Sequence, residues 1–307
     1  MNNLVSLVQT QNSRELKDSI AEALNLIGFK PPNNVKTVAI KVNLCYYWKA
    51  STGYTTDPLM VSNLIDYIRE SYRNNVEIKV VEADATAMRT KYAFKILGYE
   101  KLAKEKKVEL INLSEDVIEE KKIQVRDRNI TYKVPQLLLK SDLFINMPKL
   151  KLMRATHISC ALKNIFGGIA SSRKIVYHSF LSEAIVGINK ILRPHLTLVD
   201  GLTALGRFPA KLDLILAGMN PFYVDCVASQ IVGYSPGKVE SLRLAQREGF
   251  GDMRKIEVVG ADIEVFKRRF PRVNKFLLSH SWKLQFRLLK LYNTIVGDVI
   301  PPALETA

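Results

Sequence analysis

Cysteine is scarce in this chain. The 307 residues hold three, Cys45, Cys160 and Cys226, too far apart for a zinc set or the ligand run of an iron–sulfur cluster. No metal site and no iron–sulfur motif are therefore expected, and reduced thiols suit the cytoplasm. Long apolar runs are missing as well. No segment reaches the roughly 20 apolar residues that span a bilayer, and the opening MNNLVSLVQTQNSREL lacks the basic start and apolar stretch of a signal peptide. The expected location is cytoplasmic, peripheral to a membrane at most. Absent too are GxGxxG after an early strand, GxxxxGK[ST], HExxH and GxSxG, which removes support from dinucleotide-binding, P-loop, zinc-protease and α/β-hydrolase readings. Acidic residues are outnumbered: 30 Asp plus Glu stand against 45 Lys plus Arg, a formal charge of +15. Such an excess favours an anionic partner, although it is spread along most of the chain and solvated surface lysines would also produce it. Nucleic acid is disfavoured among those partners, because no aromatic and basic strand motif of an RNA-binding sheet occurs.

What is present is apolar material for a large core, 47% of residues, arranged in alternating periods. Residues 4–8 read as a strand, and Ser13 caps a helix through Ile20, Ala23, Leu24 and Ile27 that stops at Gly28. The β-branched run 38–42 is a buried strand opening into a polar loop, 43–56. Asp57-Pro58 then starts a helix, with Asp as N-cap and Pro at the first helical position. A strand over 76–81, a helix ending near Gly98, a strand over 108–113, a hairpin over 123–132, a short helix over 135–140 and a strand over 143–146 continue the series. Little periodicity is visible from 149 to 178. Beyond it come a helix over 181–192, strands over 196–200 and 212–217, helices over 221–232 and 239–248, and a strand over 256–259. Strands separated by helices predict an α/β fold, a mainly parallel sheet with helices on both faces. That domain is expected over 1–260, with a basic amphipathic C-terminal helix in the extension 261–307. At 100° per residue Arg272, Lys275, Lys283, Arg287 and Lys290 share one stripe and Leu277, Leu284, Leu288 and Leu291 another. Such a helix suits an acidic membrane surface or a protein partner's groove, or packs on its own domain.

Sites in parallel sheets lie at the C-terminal ends of strands. The polar residues just past expected strands are Asn43, Glu82, Asp84, Asn146, Lys149 and Asp200. The segment 145–178, INMPKLKLMRATHISCALKNIFGGIASSRKIVYH, adds Lys151, Lys163, Asn164 and a Gly167-Gly168 pair. Lysines beside glycine-rich backbone amides suit phosphate or carboxylate groups. The binding set is therefore Asn43, Asp84, Lys149, Lys151, Lys163 and Asn164, and the partner an anionic small molecule. His157 and His178 are the candidate proton-transfer groups, with Asp200 to orient one of them, because imidazole titrates near neutrality. Asp84, Asp200 and Asp225 read equally well as strand-end or helix-start residues. Cys160, three residues from His157, could be a nucleophile but reads better as a buried thiol.

Taken in order, these pieces resemble a known family, the domain-of-unknown-function family 362. The resemblance rests on Lys41-Val42-Asn43-Leu44, Thr55-Thr56-Asp57-Pro58, Pro148-Lys149-Leu150-Lys151, Leu162-Lys163-Asn164-Ile165-Phe166-Gly167, Val199-Asp200-Gly201, and Ala217-Gly218 through Val224-Asp225, and covers about 35 to 250. Many relatives carry an iron–sulfur module or are redox-associated, which implies an electron-transfer or small-molecule enzyme. This chain lacks the module, so the resemblance names no cofactor for it. It also has Leu152-Met153 where the family has Thr-His after the second lysine, Gly206-Arg207 where Glu-Gly is usual, and Asn220 in place of an Asp. Two functions stand open: an enzyme, redox-linked through a separate carrier, or a catalytically degenerate protein that binds or anchors through the C-terminal helix.

Overall fold

The computed structural model describes residues 3–10, 15–72 and 76–272. In chain order the elements are β1 (Leu4–Gln9), α1 (Leu16–Leu26), β2 (Thr37–Lys41), α2 (Pro58–Ser71), β3 (Glu77–Glu82), α3 (Thr90–Ile96), α4 (Tyr99–Lys106) and β4 (Glu109–Asn112). Then come β5 (Ile118–Val125), β6 (Arg128–Pro135), α5 (Gln136–Lys140), β7 (Leu143–Asn146), β8 (Lys149–Met153), β9 (His157–Ser159), α6 (Ala161–Gly167) and α7 (Leu181–Ile191). The last are β10 (Leu196–Leu205), β11 (Pro209–Gly218), α8 (Pro221–Ile231), α9 (Glu240–Arg247), β12 (Glu257–Gly260) and α10 (Ile263–Arg269). Ser13 and the basic helix expected beyond Arg272, with Lys275, Lys283, Arg287 and Lys290, lie outside the described residues.

The main sheet runs β12-β1-β11-β10-β7-β2-β3-β4, with β8 beside β10 and β9 beside β8. All its pairings are parallel except those of β11 with β1 and β10, and β8 with β9. β5 and β6 form a separate hairpin. Side chains alternate through the sheet as a period of two requires. In β2, Val38 and Ile40 face one core with Ile20, Leu24, Leu64 and Ile65 of α1 and α2, while Ala39 faces the other with Ile165, Ile185 and Val227 of α6, α7 and α8. Helices therefore cover both faces. The local signals for them act as expected. Asp57 accepts from the Leu59 amide at 2.9 Å with Pro58 at the first helical position, and Gly28 and Gly98 take positive φ beyond their helices.

Two readings change. The stretch 149–178 is regular for most of its length: β8 and β9 make a short hairpin, α6 follows, and Lys174–Phe180 is a 3-10 helix. Its strands are too short to show a period, and the lysines of β8 point into a polar interior. The globular body also runs past residue 260, because Phe266 of α10 and Phe270 are buried in the main core.

One break in the sheet positions the site. The ladder between β2 and β7 ends at the pair Lys41 and Asn146, and Met147 donates its amide to the Lys41 carbonyl at 2.8 Å. Pro148, which has no amide hydrogen, follows, and β8 continues along β10 rather than β2, pairing Lys149 with Asp200. β2 and β8 therefore part company at their C-terminal ends, and side chains fill the space between them.

Candidate functional site

Asn164 is the hub of that space. It sits fully buried on α6, accepts from the Asn43 amide at 2.9 Å and from Lys41 Nζ at 3.4 Å, and donates to Asn146 Oδ1 at 2.9 Å and to the Lys41 carbonyl at 3.3 Å. Helix α6 is held in place by Asp225 of α8, whose carboxylate accepts the Ala161 and Leu162 amides at 2.6 and 2.9 Å. Burial pushes Asp225 up to about 7, against those two amides, which favour its ionised form.

Five lysines converge here, and their partners divide them into two kinds. Lys41 pairs with Glu82 at 2.5 Å, and Lys149 with Asp200 at 2.8 Å, both pairs shut away from solvent. Glu82 also accepts the Leu44 and Ala83 amides, and Asp200 those of Asp57 and Leu202, so these carboxylates are fully engaged. Lys151, Lys163 and Lys174 are different: among the described residues none has a carboxylate within ion-pair distance. Lys151 Nζ donates to Asn43 Oδ1 at 2.5 Å and to the Tyr54 carbonyl at 2.8 Å, and lies 3.1 Å from Cys45 Sγ. Lys174 Nζ donates to the Asp84 carbonyl at 2.5 Å, and burial draws it down to about 7. Lys163, half-buried, is lowered to about 8, first by burial and then by the charge of Lys151. The Lys151 charge thus opposes that of Lys163, and among the described residues neither ammonium has a carboxylate within ion-pair distance.

His178 completes the group. Its Nδ1 is 3.1 Å from the Lys174 carbonyl, which can only accept, so in the neutral ring Nδ1 carries the hydrogen and Nε2 the lone pair. Burial, and next the Lys163 charge, hold it below its usual 6.5. It is a neutral base beside a cation.

The sequence-derived set therefore divides. Asn43, Lys151 and Asn164 are joined by hydrogen bonds, and the Lys163 charge is felt by His178 as the Lys151 charge is felt by Lys163. Lys149 and Asp200 form a buried, mutually neutralised pair at 2.8 Å. Asp84 is a structural acid, accepting from the Thr90 amide at 2.8 Å and Arg89 at 3.0 Å, and only its carbonyl turns to the site. His157 sits at the turn end of the β8–β9 hairpin with positive φ, its ring 4.7 Å from that of Tyr234. Gly167 and Gly168 are not an anion loop. They end α6, where the Gly168 amide is spent on the Ile165 carbonyl, and a Cβ on Gly167 would lie 3.4 Å from Lys41 Nζ. Their use is close approach of the helix end to the Lys41–Glu82 pair. Cys160 is fully buried and its thiol pushed well up by burial, so it is no nucleophile. Lys41, Lys174 and Cys45 stood outside the expected binding set, although Lys174 lies in the cationic segment 145–178 and Lys41 in the family-like Lys41-Val42-Asn43-Leu44. The signal for Lys41 was there: a charge inside the strand TVAIK must be paired when buried, and pairs of that kind gather at sites.

Among the described residues no group of His, Cys, Asp and Glu could hold a metal ion, and no helix is long and apolar enough to cross a membrane.

A mainly parallel sheet with helices on both faces and a cluster of lysines at its strand ends defines an α/β protein. The chain belongs to the family described as domain of unknown function DUF362, whose model matches residues 38–230. It is 25% identical over 157 residues to the thylakoid-associated protein sll1697 of Synechocystis, covering 47% of this chain and 46% of that protein. Among solved structures it is similar to the lactate racemase apoprotein from Thermoanaerobacterium thermosaccharolyticum, with a TM-score of 0.52 at 13% identity over 76% of this chain and 57% of that one. The chain thus spans only about half the length of each, and the structural likeness is one of fold.

Proposed function

We propose that the chain is an enzyme that binds a small anionic molecule, a carboxylate or phosphate, between Lys151 and Lys163, with His178 accepting a proton from it. The observation that carries this reading is the uncompensated pair itself. Holding two cations together without an acid costs stability, and an anion seated between them removes that cost. Asn43 and Asn164 orient the groups around it, and neutral His178 is a base within reach of the Lys163 charge. The lactate racemase of similar fold is by its name an enzyme of a small carboxylate, which agrees with this class of ligand.

The ligand must meet a charged Lys163, so pH tests the reading. With Lys163 at about 8, sulfate affinity should be level below that pH and fall roughly tenfold per unit above it, as the ammonium is lost. Calorimetric titration between pH 6 and 10 measures it, as approximate limits of lysine's useful range. An affinity that stays flat through this range counts against the proposal.

A second reading, attachment to an acidic membrane, is favoured by the thylakoid association in the name of the Synechocystis relative. Vesicles rich in anionic lipid should then sediment the full chain at low salt but not a chain ending at Arg272, a cut that spares α10. Equal sedimentation of both would remove the C-terminal segment as the anchor.

A further inference from the structure

The loop between β2 and α2 carries four aromatic residues in nine positions, Tyr46, Tyr47, Trp48 and Tyr54. Three of them pack on one another: Tyr46 and Trp48 are stacked with centroids 5.0 Å apart, and Tyr54 meets Trp48 edge-on at 4.3 Å and Tyr46 at 5.5 Å. Yet Trp48 remains 49% exposed. A solitary exposed aromatic on a protein surface is ordinary, but this one belongs to a built surface. Thr55 donates to the Trp48 carbonyl at 2.7 Å, Tyr47 accepts the Arg89 amide at 2.8 Å, and Asn43 donates its amide to Thr56 at 2.9 Å. Gly53, with φ of 75°, lies so close on β10 that a Cβ there would come within 3.0 Å of Ala204 and Leu205. The loop is thus fixed at both ends and in the middle while its largest ring is left half uncovered.

Both ends of this aromatic cluster also reach the anion site. Cys45, next to Tyr46, has its sulfur 3.1 Å from Lys151 Nζ, and the Tyr54 carbonyl accepts from the same Nζ at 2.8 Å. Flat ligand groups gain by lying on an aromatic face, and an anionic group on the same molecule would sit at the lysines.

We infer that the ligand is an anion carrying a planar ring, an aromatic or heteroaromatic carboxylate or phosphate, with its ring on Trp48 and its charge on Lys151 and Lys163. This rests on the anion-site reading above. Methyl sulfate and phenyl sulfate separate the two, because both are monoanionic sulfate esters and only one carries a ring. The full chain should bind phenyl sulfate at least about fivefold tighter than methyl sulfate. In Trp48→Ala that ratio should collapse towards one, and Trp48→Phe should keep most of it. In a Trp282→Phe background, which leaves Trp48 as the one tryptophan, phenyl sulfate should quench the fluorescence and methyl sulfate should not. Equal affinities in the parent, or a preference for phenyl sulfate that survives Trp48→Ala, would overturn the ring platform while leaving the anion site standing. Failure of both anions to bind would overturn both.

Discussion

Lys163→Met is expected to abolish anion binding without harming the fold. Among the described residues the side chain has no hydrogen-bond or ion-pair partner, and its charge is opposed by burial and by Lys151. Methionine keeps the hydrocarbon stem and removes the repulsion, so the variant should melt at or slightly above the parent, by on the order of 1 kcal/mol after solvent screening. Sulfate affinity should fall by about 100-fold, the typical worth of a charge-assisted contact in a partly dry site. His178 should respond too. With the neighbouring cation gone its pKa should rise towards 6.5, which a proton NMR titration reads directly. A variant that keeps the sulfate affinity, or in which His178 titrates as before, would count against the arrangement.

Asp200→Ala is expected to have the opposite profile, with a large loss of stability. The carboxylate neutralises Lys149 at 2.8 Å with neither side chain exposed, and it accepts the Asp57 and Leu202 amides at 2.7 and 3.1 Å. Removing it strands a buried ammonium and two amides at the start of α2 and the bulge of β10, which costs about 3–5 kcal/mol. Because the damage is an uncompensated charge, removing the partner as well should repair much of it. Lys149→Met with Asp200→Asn should therefore cost less than the sum of the two single changes by about 1–3 kcal/mol in chemical denaturation. Simple additivity would mean that the two side chains do not form the pair described.

The contrast between those variants explains what could and could not be read in the sequence. The β-α order was legible because helices such as α1 and α2 carry their buried residues at helical spacing and their start signals at the ends. The mainly parallel sheet followed from that order. Yet β11 runs antiparallel between β1 and β10, which it follows through the three-residue connection 206–208, and strands expected over 196–200 and 212–217 left that hairpin out of sight. At the strand ends, residue types picked out Asn43, Lys151 and Asn164, which the structure joins by hydrogen bonds. What sequence could not do was sort the lysines. Lys149 and Lys151 are two residues apart on one strand, yet one is cancelled by Asp200 of β10 and the other faces Asn43 and Cys45 from the loop after β2. Which lysine finds an acid is a matter of tertiary pairing across more than 50 residues, invisible in local spacing. The place of His157, at a hairpin turn with its ring against Tyr234, likewise depends on where α8 ends.

The most direct measurement is the number of protons taken up when sulfate binds, obtained from calorimetry in buffers of different ionisation enthalpy. Sulfate itself takes up no proton in alkaline solution. At pH about 9 a group with a pKa of about 8 is ~90% deprotonated, and an anion that draws it back to the ammonium form should bring ~0.9 proton with it. That uptake should vanish in Lys163→Met. Sulfate binding with no proton uptake, or with the same uptake in the variant, would contradict the claim that Lys163 and Lys151 are the groups that hold the anion.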